Sequence, residues 1–314
     1  MISRRNIRVK VMQTLYTLET QSEDVMNGNL SKPGAPLRLL NAHFDDSNKL
    51  FLFLVHSLVE ICRYAETDSR QRASKYLPSA EDLNVNTKLA GNEWIWRLIE
   101  SPSYQKAVAE LKPDLLLPAD FIKKLYYELT DKAIYKEYIQ TPSRDPKKEK
   151  EIIHYIFAEI MLPSSLLETA VEDQFNNWFD DGDMMITNMQ KLIQKPHQVN
   201  FQQFIDPEKL QYAKSLLKSV IDKEDYLMDL IKPKLKNWEA DRIAVLDLII
   251  IKMGVVEFLY FDTIPTNVTI NEYIDLAKEY STPSSGQFTN GILDNIKKDL
   301  LAKNLINKVD FKGK

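Results

Sequence analysis

Four histidines, His43, His56, His154 and His197, are the first places to look for metal or acid–base chemistry. Glu151 and His154 have the Glu-x-x-His spacing that sets two ligands on one helical face. A two-metal carboxylate site needs a second such pair and two further glutamates, and no other histidine has glutamate three positions before it. Asp180, Asp181 and Asp183 surround Gly182, but counting back from that glycine puts Phe179 at a ligand position of a calcium loop. A turn or helix cap is the simpler reading. There is no glycine-rich phosphate loop, no serine elbow and no cysteine near a histidine. The residues call for no metal, no cofactor and no reaction. What stands out instead is charge: Arg4, Arg5, Arg8 and Lys10 all precede the first acidic residue, Glu19. Arg4 and Arg8 are four apart and share a helical face, with Arg5 beside it. Such a run is either a local cationic site or a solvated helix end.

The elements that must position these residues read as helices. Of 314 residues, 44% are apolar and 27% charged, as in an ordinary globular protein. The net charge of −4 excludes nucleic-acid binding through bulk positive charge, so any such contact needs a local patch. Cys62 is the single cysteine, which rules out an internal disulfide framework. No apolar leader opens the chain, and the expectation is a cytoplasmic protein without a membrane segment.

The stretch from Trp238 to Asp294 organises the rest. From Arg242 to Phe261 only Arg242, Asp247, Lys252 and Glu257 interrupt the apolar residues among those before Phe261. The run is too long and too uniform for a strand. As a membrane span, its internal charges would each cost about 2.5–3.5 kcal/mol. A helix buried on most sides remains. Pro265 ends it, and a second helix follows for which Thr269 and Glu272 have the spacing of a capping box. A third carries Phe288, Ile292, Ile296 and Leu300 as one stripe. Gly291 within it costs roughly 1 kcal/mol against alanine, which predicts a close approach of another helix there.

Ile264-Pro265, Ile270-Asn271-Glu272, Leu276-Ala277-Lys278 and Gln287-Phe288-Thr289-Asn290-Gly291-Ile292-Leu293-Asp294 resemble the carboxy-terminal signature of the NusB family. These are bacterial transcription antitermination factors. The arginine-rich start followed by Val11-Met12-Gln13-Thr14-Leu15-Tyr16 is similar to the family's first helix. The resemblance implies an all-α fold: a NusB-like helical bundle core, 1–27 and 205–314, with an additional helical insertion, 28–204. It implies binding of boxA-type single-stranded RNA together with NusE, a ribosomal small-subunit protein, within the RNA polymerase antitermination complex on ribosomal RNA. Carried over residue by residue, the RNA-binding positions are Arg4, Arg5, Arg8, Gln287, Phe288 and Asn290, and the protein-binding positions are Tyr16 and Asp247. Gln287 stands where the family often has lysine, which removes a phosphate charge. Such a site suits single strands, whose splayed bases are read by stacking and hydrogen bonding.

The remaining expectations concern the insertion and the alternatives. Ser22–Pro36 reads as a loop. Helices are expected over 48–77, 93–111 and 118–139, and between 151 and 195 with breaks at Pro163 and near Asp180–Asp183. Residues 79–92 read as irregular and 141–150 as a charged hinge. Tyr126, Tyr127, Tyr135 and Tyr138 sit at helical spacing, which favours core over base stacking. Apolar stripes and Trp94, Trp96 and Trp178 predict that the insertion is folded. Two other functions fit the composition. One is a helical adaptor with the insertion as its interface. The other is an RNA-binding module associated with ribosomal RNA modification, although the cofactor domain such an enzyme needs is absent from the sequence.

Overall fold

A computed structural model describes residues 2–20, 34–235 and 243–309. Trp238, Arg242 and most of the loop expected over 22–36 lie outside them. Among the described residues the regular elements are all helices, and none is long and apolar enough to cross a membrane. The chain folds as two compact units, Phe44–Phe204 and Ile2–His43 with Ile205–Lys314.

Helix α1 is Arg4–Thr20 and α2 is Ala35–Ala73. No proline or glycine follows Pro36 within α2, so nothing stops it, and the helical stretch expected over 48–77 is one helix that starts earlier, at Ala35, and ends at Ala73. Its first turns, through His43, belong with the terminal segments and the rest with the central unit.

The central unit continues with α3 (Ala80–Leu83), α4 (Glu93–Ile99), α5 (Pro102–Leu111), α6 (Phe121–Thr130), α7 (Ala133–Gln140), α8 (Pro146–Tyr155), α9 (Ser165–Gln174) and α10 (Trp178–Gln194). Proline at the first helical position splits 93–111 at Ser101 and starts α8 inside the expected hinge. Asp145 caps α8 by accepting from the Lys147 amide at 3.0 Å. Before Pro163 the chain widens into a π-helical turn, Ile156–Met161. The break expected near Asp180–Asp183 falls earlier, at Phe175–Asn177. The aspartates lie in and just after the first turn of α10, where the helix dipole favours negative charge. The buried face of α2 supplies Phe53, whose ring lies 5.3 Å from Phe175 and 6.4 Å from Phe121. Tyr126, Tyr135 and Tyr138 are buried core residues.

The other unit adds α11 (Pro207–Asp222), α12 (Glu224–Ile231), α13 (Val245–Tyr260), α14 (Thr266–Tyr280) and α15 (Ser285–Ala302). Helix α13 packs against α1, α11, α12, α14 and α15. Having neighbours on so many sides is why it can be apolar nearly all round; its exposed residues are Val245 and Tyr260, at its two ends. The stripe Phe288, Ile292, Ile296 and Leu300 on α15 is buried.

Two local expectations are corrected. Helix α14 begins at Thr266, one turn before the expected cap. Thr269 is therefore inside the helix, where its hydroxyl donates to Glu257 at 2.9 Å, and Glu272 accepts from Arg8 instead of closing a capping box. A Cβ on Gly291 would meet nothing within 4 Å, so no helix approaches it. The close approach is at Gly254 in α13, where a Cβ would stand 2.8 Å from Leu293 Cδ2.

Candidate functional site

The amino end of α1 is fixed by Ser3, whose hydroxyl accepts from the Asn6 amide at 3.1 Å. From there the three arginines diverge. Arg4 is exposed, over the Tyr212 ring at 5.9 Å, with Glu208 at 3.8 Å. Arg5 is partly exposed and donates from Nη2 to Glu279 at 2.6 Å, on the last turn of α14. Arg8 is 2% exposed. The expectation of one exposed arginine row is thus corrected at Arg8. One turn further along the helix the face shared with Arg4 has passed under α11 and α14, and Arg8 meets carboxylates there.

Those carboxylates form a buried hub. Arg8 Nε donates to Glu257 Oε1 at 2.7 Å, Nη2 to Oε2 at 3.2 Å, and Nη1 to Glu272 at 2.9 Å. Glu257, 0% exposed, also accepts from the hydroxyls of Tyr212 at 2.5 Å, Thr269 at 2.9 Å and Tyr273 at 2.9 Å. Burial first, and then the Glu257 carboxylate, push the Tyr212 and Tyr273 phenols well above their ordinary value. Four helices, α1, α11, α13 and α14, are joined at one buried carboxylate. Its charge is tolerated because it is paired and hydrogen-bonded from several directions.

Helix α14 ends at Tyr280, and a short turn leads into α15, whose first turns expose Gln287 and Asn290. Phe288 between them is 6% exposed, so its ring is a core residue and not an open stacking platform. The exposed part of the arginine-rich end, tied to α14 through Glu279, together with two exposed carboxamides on α15, can offer cations and hydrogen-bonding groups to an anionic polymer.

A second feature lies on the same unit. A cavity of about 530 Å³ is lined by Met12, Tyr16, Val245, Leu246 and Tyr280, among others. Tyr16 and Val245 are exposed. Asp247, expected at a protein-binding position, is 5% exposed and accepts from the Ser285 hydroxyl at 2.7 Å. Its place in the first turn of α13 suits a negative charge. The Ser285 hydroxyl also meets Thr282, which lines the cavity. Asp247 is thus buried and linked through Ser285 to Thr282 at the cavity, with almost no surface of its own to offer a partner. Ser285 and Glu279 were not singled out from sequence, and no local pattern marks them, since each is defined by a partner on another helix.

No group of histidines, cysteines and acidic residues that could hold a metal occurs among the described residues.

Residues 182–298 match the sequence model of the NusB family. The match begins within α10. The chain is 33% identical over 124 residues to the transcription antitermination protein NusB of Bacillus licheniformis, covering 36% of this chain and 96% of that protein. It is 41% identical over 96 residues to the NusB of Finegoldia magna, covering 31% of this chain and 70% of that protein. The NusB of Bacillus subtilis is 38% identical over 97 residues, with 31% of this chain and 74% of that protein covered. No solved structure matches the chain. Because nearly the whole of a compact relative is spanned at this identity, the chain belongs to the NusB family.

Proposed function

We propose that this protein is a transcription antitermination factor that binds boxA-type single-stranded RNA together with NusE, supporting transcription of ribosomal RNA. The relatives it matches are transcription antitermination proteins. The observation that carries the RNA part of the reading is the position of Arg4 and Arg5. Both guanidinium groups reach solvent at the start of α1, and Arg5 is anchored to the helix whose end leads into exposed Gln287 and Asn290. Phosphates would meet the arginines, and base edges the carboxamides. Arg8 and Phe288 support this surface from inside. The groove with Tyr16 is the proposed seat for NusE, with Asp247 bracing it through Ser285.

The additional helical insertion of a long form, 28–204, would correspond mainly to the unit Phe44–Phe204, whose last part, from residue 182, already falls within the family match. The terminal segments with α11–α15 form the NusB-like core in this reading.

The test is fluorescence anisotropy with a labelled boxA-like RNA, with and without purified NusE. Binding that tightens when NusE is added supports the proposal. A protein that binds neither molecule, singly or together, overturns it.

A further inference from the structure

The central unit contains a cavity of about 590 Å³ that the antitermination reading leaves without a role. Its size falls in the range of small-ligand sites. Half-buried Val199 gives it apolar surface, and Phe51, 4% exposed, closes it from the core side. The Phe51 ring is held in place by Phe201, stacked at 5.9 Å. One wall comes from the carboxy-terminal half of α10, where Thr187, Gln190, Lys191 and Gln194 succeed one another at helical spacing, followed by Lys195. Gln198 extends that wall, and exposed His154 lines the cavity from α8.

The chemistry of this lining is selective. Among the described residues no carboxylate lines the cavity, although the chain as a whole is acidic. Lys191 and Lys195 are exposed, and among the described residues neither is paired with an acid. A third cation, Lys150, donates to Gln194 Oε1 at 2.8 Å and so fixes the orientation of that carboxamide. Apolar surface, several carboxamides and unneutralised lysines in one place match the three parts of a nucleotide. A base can lie against Val199 and the small exposed part of Phe51, its edge needs donors and acceptors, and its phosphate needs cations. Lys191 lies on the exposed flank of α10 and Lys195 just past its end, where a continuing sugar–phosphate chain can pass.

We propose that this cavity is a second RNA site, which takes a base of single-stranded RNA with the adjoining phosphates on Lys191 and Lys195. It goes beyond the contact proposed above and shares no residue with it. A free nucleotide presents the same chemistry, and an acidic peptide the same charge, so both enter the test.

The experiment uses the full chain, with Arg4→Ala and Arg5→Ala in place to silence the first site. The probe is a fluorescein-labelled oligouridylate of about ten nucleotides, a length within the usual single-strand site sizes. Residual binding is expected. Adding Lys191→Ala and Lys195→Ala should weaken it roughly tenfold and remove about 1.4 from the log–log salt slope, near 0.7 for each phosphate contact. Gln194→Ala should weaken binding with the slope unchanged. Circular dichroism melts check that these exposed substitutions leave the fold intact. The proposal is overturned if the lysine substitutions change neither affinity nor slope. It is also overturned if uridine monophosphate binds as tightly as the oligonucleotide, or if polyglutamate displaces the probe as well as unlabelled RNA does. The first site is judged separately: boxA-like RNA bound equally by wild type and the Arg4→Ala, Arg5→Ala protein would reject that site and leave this one standing.

Discussion

Arg8 and Glu257 are 249 residues apart in the chain and form a two-pronged ion pair inside the protein, at 2.7 and 3.2 Å. With side chains 3% and 0% exposed, neither charge has water to fall back on. Replacing Arg8 by alanine leaves the Glu257 carboxylate buried without its cation. The expected loss is about 3–5 kcal/mol of stability, read from urea unfolding. A loss near zero would mean that the hydroxyls of Tyr212, Thr269 and Tyr273 suffice to hold the charge.

The same pairing separates the arginines in an RNA titration. Arg4→Ala and Arg5→Ala should each remove about 0.7 from the log–log salt slope for a boxA-like RNA. Arg8 already faces two carboxylates, so its replacement by glutamine, which removes the charge, should leave the slope unaltered wherever the protein stays folded. A slope that falls equally for all three would show that Arg8 turns outward when RNA binds.

Two glycines in neighbouring helices should respond in opposite directions. Gly291 is exposed with open space around its missing Cβ, so alanine should stabilise by about 0.5–1 kcal/mol through helix propensity. At Gly254 a Cβ would press on Leu293, itself fully buried, and the expected loss is about 1–3 kcal/mol. Thermal melts of the two single variants decide the matter.

Alkali should unfold the protein through its buried phenols. A tyrosine whose folded value is raised stabilises fully below the unfolded value, near 10, and loses that contribution as the pH rises through the folded value. Tyr127 is pushed up to about 12, by desolvation first and then by the hydrogen bond it gives Asp68. Tyr212 and Tyr273 are also raised well above their ordinary value, by burial and then by the Glu257 carboxylate. Tm should therefore hold up to about pH 10 and fall above it. Tyr273→Phe should flatten the fall, since it removes one such phenol; an equal fall in that variant would place the alkaline sensitivity elsewhere.

Tyr16 tests the partner groove. It is 44% exposed beside Met12 and Leu246. Tyr16→Ala should weaken NusE binding by about 2 kcal/mol, the scale of an aromatic anchor, and leave the salt slope for RNA unchanged. Isothermal titration calorimetry with NusE provides the check. Unchanged affinity would move the partner's seat away from this groove.

Most of the helices and the faces they bury are legible in the sequence, although α8 starts inside the stretch read as a hinge and α2 starts before residue 48. Period and proline placement are local properties, so the long apolar run of α13 and the stripe on α15 were legible as they stand. The run of arginines and the carboxy-terminal signature were equally plain. Tertiary structure decided what each polar group does. Thr269 and Glu272 have the spacing of a capping box, yet both are drawn to the Arg8–Glu257 pair. Arg4 and Arg8 share a helical face, yet one meets solvent and the other a carboxylate from α13. Asp247 interrupts an apolar helix, and its partner, Ser285, comes from another helix. In each case a charge or hydroxyl is stabilised by whichever partner the packing brings near, and spacing along the chain carries no information about a partner on another helix.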